Sequence, residues 1–108
     1  MAMEVRKTRH VDSDEPDENG FVKYYYEYDI YEFIQGDLCL VARSYTDTPQ
    51  EASFLGKEHL SQPSSKLTVE DFIHPLMLLA LEYLKADGKS EIQYLSEAVG
   101  YLPIPVGA

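Results

Sequence analysis

Cysteine and positive charge are both scarce in this chain of 108 residues. Cys39 is the only cysteine, so no internal disulfide can form and no redox pair exists. Nine Lys and Arg stand against nineteen Asp and Glu, a net charge of −10. Nucleic-acid affinity comes mostly from cations that neutralise phosphates, so this balance argues against DNA or RNA binding and toward a basic partner. Long apolar runs are missing as well. The densest, from Leu76 to Leu84, contains Glu82 and falls well short of the ~20 residues a membrane span needs. Arg6, Lys7 and Arg9 precede no apolar stretch, so no secretory signal is predicted and the expected setting is the cytoplasm, away from membranes. No Gly-rich phosphate loop, Ser-centred elbow or CxxC pair occurs, and the glycines read as turns and ends.

Residues 1–19 read as an acidic, mobile tail ahead of a single domain over 20–108. Arg6, Lys7, Arg9 and His10 lead into DSDEPDEN, Asp12 to Asn19, which has five carboxylates in eight residues. Met1, Met3, Val5 and Val11 bury too little to offset the entropy of ordering such a segment. The acidic run is not a calcium loop. Pro16 stands where the third ligand belongs, Asp17 where the loop requires glycine, and Lys23 where the closing Glu belongs.

What is abundant is tyrosine. Five of the nine fall within YYYEYDIYEF, residues 24–33. The stretch from Phe21 to Gln35 has no Pro or Gly and reads as a long strand. Gly36 and Asp37 suit a two-residue turn, and LCLVARSYT returns, giving a β-hairpin over about 21–46. Counting from the turn, Phe33 faces Leu40, Tyr31 faces Ala42, Ile34 faces Cys39 and Tyr28 faces Tyr45. Glu32 and Arg43 lie diagonally, placed for a cross-strand ion pair. Phe33, Leu40, Tyr31 and Ala42 form a core face, yet Val22, Tyr24, Tyr26, Tyr28 and Ile30 form an apolar row on the opposite one. A β-bulge near Asp29–Tyr31 would reconcile the two.

Residues 49–58 suit either a capped helix start, with Thr48 and Pro49, or a third strand extending the meander; the strand is preferred. Thr68 then caps a helical segment with Glu70 and Asp71 in its first turn. Pro75 divides it into a short turn and a longer helix over about 75–87, which ends at Gly88 and is apolar nearly all round. Residues 90–106 read as a short helix by periodicity or a second hairpin by composition. The expected fold is α+β: an antiparallel sheet beginning with the hairpin, covered on one face by the apolar helix.

No catalytic constellation is present, which weighs against an enzyme, and no cofactor or metal site is predicted. Cys39, between Leu38 and Leu40, reads as a buried, unreactive thiol. The rival to a binding role is a small enzyme or ligand-binding domain that uses His74 or His59 with nearby carboxylates; a homodimer through the exposed strand and Leu78 is a further alternative. A base-stacking platform is disfavoured because Glu27, Asp29 and Glu32 interleave the rings. The leading expectation is an acidic protein-interaction module, an inhibitor, immunity-type or regulatory partner of a more basic protein. Its expected face is Tyr24, Tyr25, Tyr26, Glu27, Tyr28, Asp29 and Glu32. Three consecutive tyrosines alternate faces, so at least one of them should be exposed.

Overall fold

The computed structural model describes residues 3–22, 24–59, 62–96 and 100–104. They form β1 (Glu4–Ser13), β2 (Tyr25–Gln35), β3 (Leu38–Tyr45), β4 (Glu51–His59), β5 (Gln62–Ser65), a 3-10 helix (Val69–Ile73), α1 (Pro75–Ala86), β6 (Glu91–Ser96) and β7 (Gly100–Pro103). The result is a small single-domain α+β fold in which the sheet dominates. The strand order is β1-β2-β3-β4-β6-β7, and β5 pairs with β4. Neighbours run antiparallel except β4 and β6. That one parallel pair needs a crossover, and the 3-10 helix and α1 supply it.

The central hairpin follows its turn chemistry. Gly36 takes φ 63, a left-handed value that glycine adopts without a Cβ penalty. The pairs then fall as counted, from Gln35↔Leu38 through Phe33↔Leu40 to Tyr28↔Tyr45. The strand begins at Tyr25 rather than Phe21. Asp29, Tyr31, Phe33, Leu38, Leu40, Ala42 and Ser44 are buried on one face, so the buried face of β2 does not switch. The bulge lies elsewhere: Val41 pairs with Gly56 but Ala42 with Phe54, leaving Leu55 as the extra residue in β4. There the shift keeps both Phe54 and Lys57 directed to the core side.

Residues 4–13 are not a tail. They form β1, paired with β2 from Glu4↔Ile34 to Ser13↔Tyr25. Judged by its own burial the segment has little to hold it, since only Val5 is partly covered. It is held by its partner strand. Arg9 pairs with Glu27 and Asp29, and Lys7 reaches Asp87 at 3.5 Å while lying 5.2 Å over the Tyr31 ring. β2 is consequently an interior strand; β1 and β7 end the strand order, and β5 pairs only with β4 beside it.

Pro75 divides the helical segment as expected, because its missing N–H and fixed φ suit a first helical position. His74 caps α1, its Nδ1 accepting the Leu76 N–H at 3.0 Å. At the other end Lys89 N–H donates to Leu84 O at 2.9 Å and Gly88 N–H to Lys85 O at 3.1 Å, with Gly88 at φ 90. This is the paired hydrogen-bond arrangement that stops a helix at a left-handed glycine. Leu76, Met77, Ala80, Leu81 and Leu84 join Tyr31, Phe33, Leu40 and Phe54 in one buried cluster, and Tyr83 sets its ring edge-on to both Tyr31 and Phe33. Burial of α1 is less complete than its composition suggests, for Leu78 is 54% exposed.

Residues 49–58 lie mostly in β4, the preferred strand. Within 90–106 the described residues form the β6–β7 hairpin, with Tyr94↔Leu102 at its centre; the helical alternative is corrected. The reason is tertiary. Ala52↔Ile92 and Phe54↔Tyr94 pairing offers β6 a ladder along β4 that a helix would forgo.

Two predictions follow from this packing. Gly56 marks neither a turn nor an end, for a Cβ there would lie 2.5 Å from the Ser65 carbonyl oxygen. Gly56→Ala must therefore displace β5 backbone, and we expect a loss of about 1–3 kcal/mol, read as a thermal midpoint lower by about 5–15 °C. The second concerns acid. Asp71 accepts Lys57 Nζ at 2.9 Å, Thr68 N–H at 2.6 Å and the Thr68 hydroxyl at 3.0 Å. Burial opposes its charge, but these donors outweigh it and hold the carboxyl below the usual range. The Tyr31 hydroxyl and Lys7 do the same for Asp87. Carboxylates with depressed folded values contribute stability above the unfolded pKa of about 3.9, lost as pH falls through the folded value. The thermal midpoint should fall steeply below about pH 4, and Asp71→Asn should lower it at neutral pH while flattening that acid limb.

Candidate protein-binding site

β3 ends at Tyr45, opposite Tyr28. Tyr25, Tyr26 and Glu27 continue past it, laddered with Ser13, Asp12 and Val11 of β1, and on the β3 side the Glu27 carbonyl accepts the Thr46 N–H at 3.0 Å. The end of β1–β2 is thus a two-stranded ribbon, with no third strand beside it. Consecutive side chains point to opposite faces of a strand, but here neither face is layered. Tyr24, Tyr25 and Tyr26 are accordingly all exposed, at 43%, 57% and 50%. Phe21, Val22 and Val11 add exposed apolar surface beside them.

The connection between the two strands carries the acidic run. Asp17 turns its carboxylate inward, accepting the Asn19 and Phe21 N–H groups at 2.8 and 3.0 Å, which closes a turn. Asp14 accepts the Tyr24 N–H at 3.4 Å and draws the two arms together. Asp12, Glu15 and Glu18 are exposed, and among the described residues no cation pairs with them.

From this end a row of rings runs back over the face opposite Tyr31 and Phe33. Tyr24 stacks on Tyr26 at 5.8 Å, Tyr26 meets Tyr45 at 5.8 Å, Tyr45 meets Tyr28 edge-on at 5.6 Å, and Tyr28 stacks on His10 at 5.5 Å. Arg43 lies against the inner part of the row, 4.9 Å from the Tyr45 ring centre and 5.9 Å from that of Tyr28. It donates from Nη2 to the Tyr101 hydroxyl at 2.8 Å. Its Nε is closed off without an acceptor among the described residues, so the ring faces are what hold the guanidinium.

The anticipated binding residues divide between the two faces. Tyr26, Tyr28 and Glu32 share the ring-bearing face, whereas Tyr25, Glu27 and Asp29 take the other by alternation. Asp29 is buried and, like Glu27, is engaged by Arg9. The ion pair expected between Glu32 and Arg43 does not form, Arg43 being taken by rings and by Tyr101. Glu32 instead has the Cys39 thiol 3.9 Å away. His10, Arg43, Tyr45 and Tyr101 adjoin the row of rings and were not among the anticipated residues. The hairpin register already placed Tyr45 opposite Tyr28, with Arg43 two residues back on the same face. His10 could not be placed without β1.

The histidines of the rival reading are dispersed. His74 spends Nδ1 on the helix cap, and His59 Nδ1 lies 3.9 Å from Asp37 at the exposed β2–β3 turn. Two surface depressions, of about 550 and 220 Å³, are lined by neither histidine. Among the described residues no group of three or more His, Cys, Asp or Glu is arranged to hold a metal ion. No described helix is long and apolar enough to cross a membrane. No family model, curated protein or solved structure matches this chain.

Cys39 is half-buried on the ring-bearing face rather than in the core. Burial, reinforced by Glu32 and Glu58, pushes its pKa up to about 11. The thiolate is the reactive form, so native protein should label slowly with a thiol reagent at pH 7 and much faster once unfolded in denaturant. Rapid labelling of the native state would contradict this placement.

Proposed function

We propose that this chain is an acidic protein-interaction module that docks a more basic protein on the end of the β1–β2 ribbon, acting as an inhibitor, immunity-type or regulatory partner. The observation that carries the proposal is the simultaneous exposure of Tyr24, Tyr25 and Tyr26 beside Asp12, Glu15 and Glu18, with which no cation among the described residues pairs. Tyrosine suits such a surface, since its ring is large, amphipathic and loses little entropy when ordered. In this reading α1 covers the sheet face that holds Tyr31 and Phe33, and the opposite face is left for a partner.

Electrostatics supports the sign of that partner. Arg6 is matched to Glu4, Lys7 to Asp29 and Asp87, Arg9 to Glu27 and Asp29, and Lys57 to Asp71. With these cations committed internally, the excess of ten negative charges is expressed outward, where it steers association and fixes orientation more than it adds affinity. The enzyme or ligand-binding alternative has less behind it, because His74 and His59 are engaged separately and neither lines the two depressions described above.

The test is cross-linking capture from native lysate with wild-type protein and with the Tyr24→Ala/Tyr26→Ala double variant, folding being checked by circular dichroism. The expected result is a basic protein recovered by the wild type and lost, by at least ten-fold, from the variant, with association slowing as salt rises. Undiminished capture by the variant, or capture only of a second copy of this chain, would overturn the proposal.

A further inference from the structure

The row of rings contains a pattern for what its outer end can hold. At the inner end the Arg43 guanidinium lies 4.9 Å from the Tyr45 ring centre and 5.9 Å from that of Tyr28. At the outer end Tyr24 and Tyr26 continue the row with the same 5.8 Å spacing that joins Tyr26 to Tyr45. Both outer rings are about half exposed, and among the described residues no cation lies over either. Asp12 is directly opposite Tyr26 in the ladder, and directly opposed residues share a face. Its carboxylate and that of Glu15 in the adjoining connection have no described cation paired with them.

We infer that the outer rings receive an arginine side chain of the partner protein, stacked on Tyr24 and Tyr26 with its N–H donors directed to Asp12 and Glu15. The inference rests on the protein-binding reading and names the anchor that reading needs. Arginine fits where lysine does not. Its guanidinium is planar, weakly hydrated and able to stack on a ring while hydrogen-bonding at its edge, whereas an ammonium is a strongly hydrated point charge. A nucleobase would also stack on these rings, but its phosphates would meet the uncompensated carboxylates.

The experiment uses two fluorescent probes of equal length and charge, one alternating arginine with glycine and one alternating lysine with glycine, titrated by anisotropy at fixed ionic strength. The arginine probe should bind about five-fold or more tightly than the lysine probe. Tyr24→Ala/Tyr26→Ala leaves the net charge unchanged and should make the two probes equal. Asp12→Asn/Glu15→Gln should weaken both. Both pairs of residues are exposed, so circular dichroism should be unaltered by either double change. Equal affinity of the probes for wild-type protein, a preference that survives loss of the tyrosines, or no binding of either probe would each overturn the arginine anchor. Those outcomes leave the protein-binding proposal to be decided separately by whether a captured partner depends on Tyr24 and Tyr26.

Discussion

The hydroxyl of Tyr31, a residue with no exposed surface, donates to Asp87 at 2.6 Å. Asp87 is the C-cap of α1, so this one bond ties the middle of β2 to the end of the helix. Around it Lys7 approaches both the Asp87 carboxylate and the Tyr31 ring, and Tyr83 closes on the ring edge. Burial, with Asp87 as acceptor, raises the Tyr31 pKa well above that of a free phenol, which keeps the proton available to the bond. With Tyr31 held inward, the two-residue period of the strand decides every other side chain. Phe33 and Asp29 follow it in, while Ile30, Tyr28 and Tyr26 turn out. A slip of one residue would exchange the two sets and place Glu32 where Tyr31 packs.

The same constraint shapes the charge distribution. Because Asp29 is directed to the core side, it needs a cation, and β1 supplies Arg9 across the ladder and Lys7 two pairs further along. Most cations of the N-terminal segment are spent this way. A segment that looks basic at one end and acidic at the other is thus divided by the fold: its basic part neutralises β2, and its acidic part is carried out to the end of the ribbon. The outward field comes from this separation more than from the net charge as such.

Local signals were strong enough to fix some of this from residues alone. The Gly36–Asp37 turn and the alternation around it fixed the β2–β3 register, and Pro75 and Gly88 marked both ends of α1. β1 was illegible because its stability comes from a partner strand distant in sequence, not from its own apolar residues. Composition favoured the β6–β7 hairpin and periodicity a helix in EIQYLSEAVG, and only the edge of β4, available to pair with it, decides between them. The position of the bulge depended on β4, so Asp29–Tyr31 was charged with a phase shift that Leu55 makes. For the candidate surface, the tyrosines of β2 were legible as a cluster. Their joint exposure was not, since it follows from β3 ending at Tyr45 while β2 runs on.

Exposed aromatic surface and exposed strand edges are both invitations to association, and this fold treats them differently. The outer edge of β1 carries Arg6, Lys7 and Arg9, and the β7 edge carries Pro103. Charged side chains and proline on an edge discourage the addition of another strand. Main-chain pairing is therefore a poor route for a partner, even though β1 presents a long edge. The end of the ribbon has no such protection. Its rings are left uncovered where a folded domain would ordinarily bury or replace them, and under the proposed function the neighbouring carboxylates favour a basic partner. Under the proposed function, recognition thus falls to ring faces and side-chain charge, with the sheet serving as the rigid support that holds Tyr24 and Tyr26 in line.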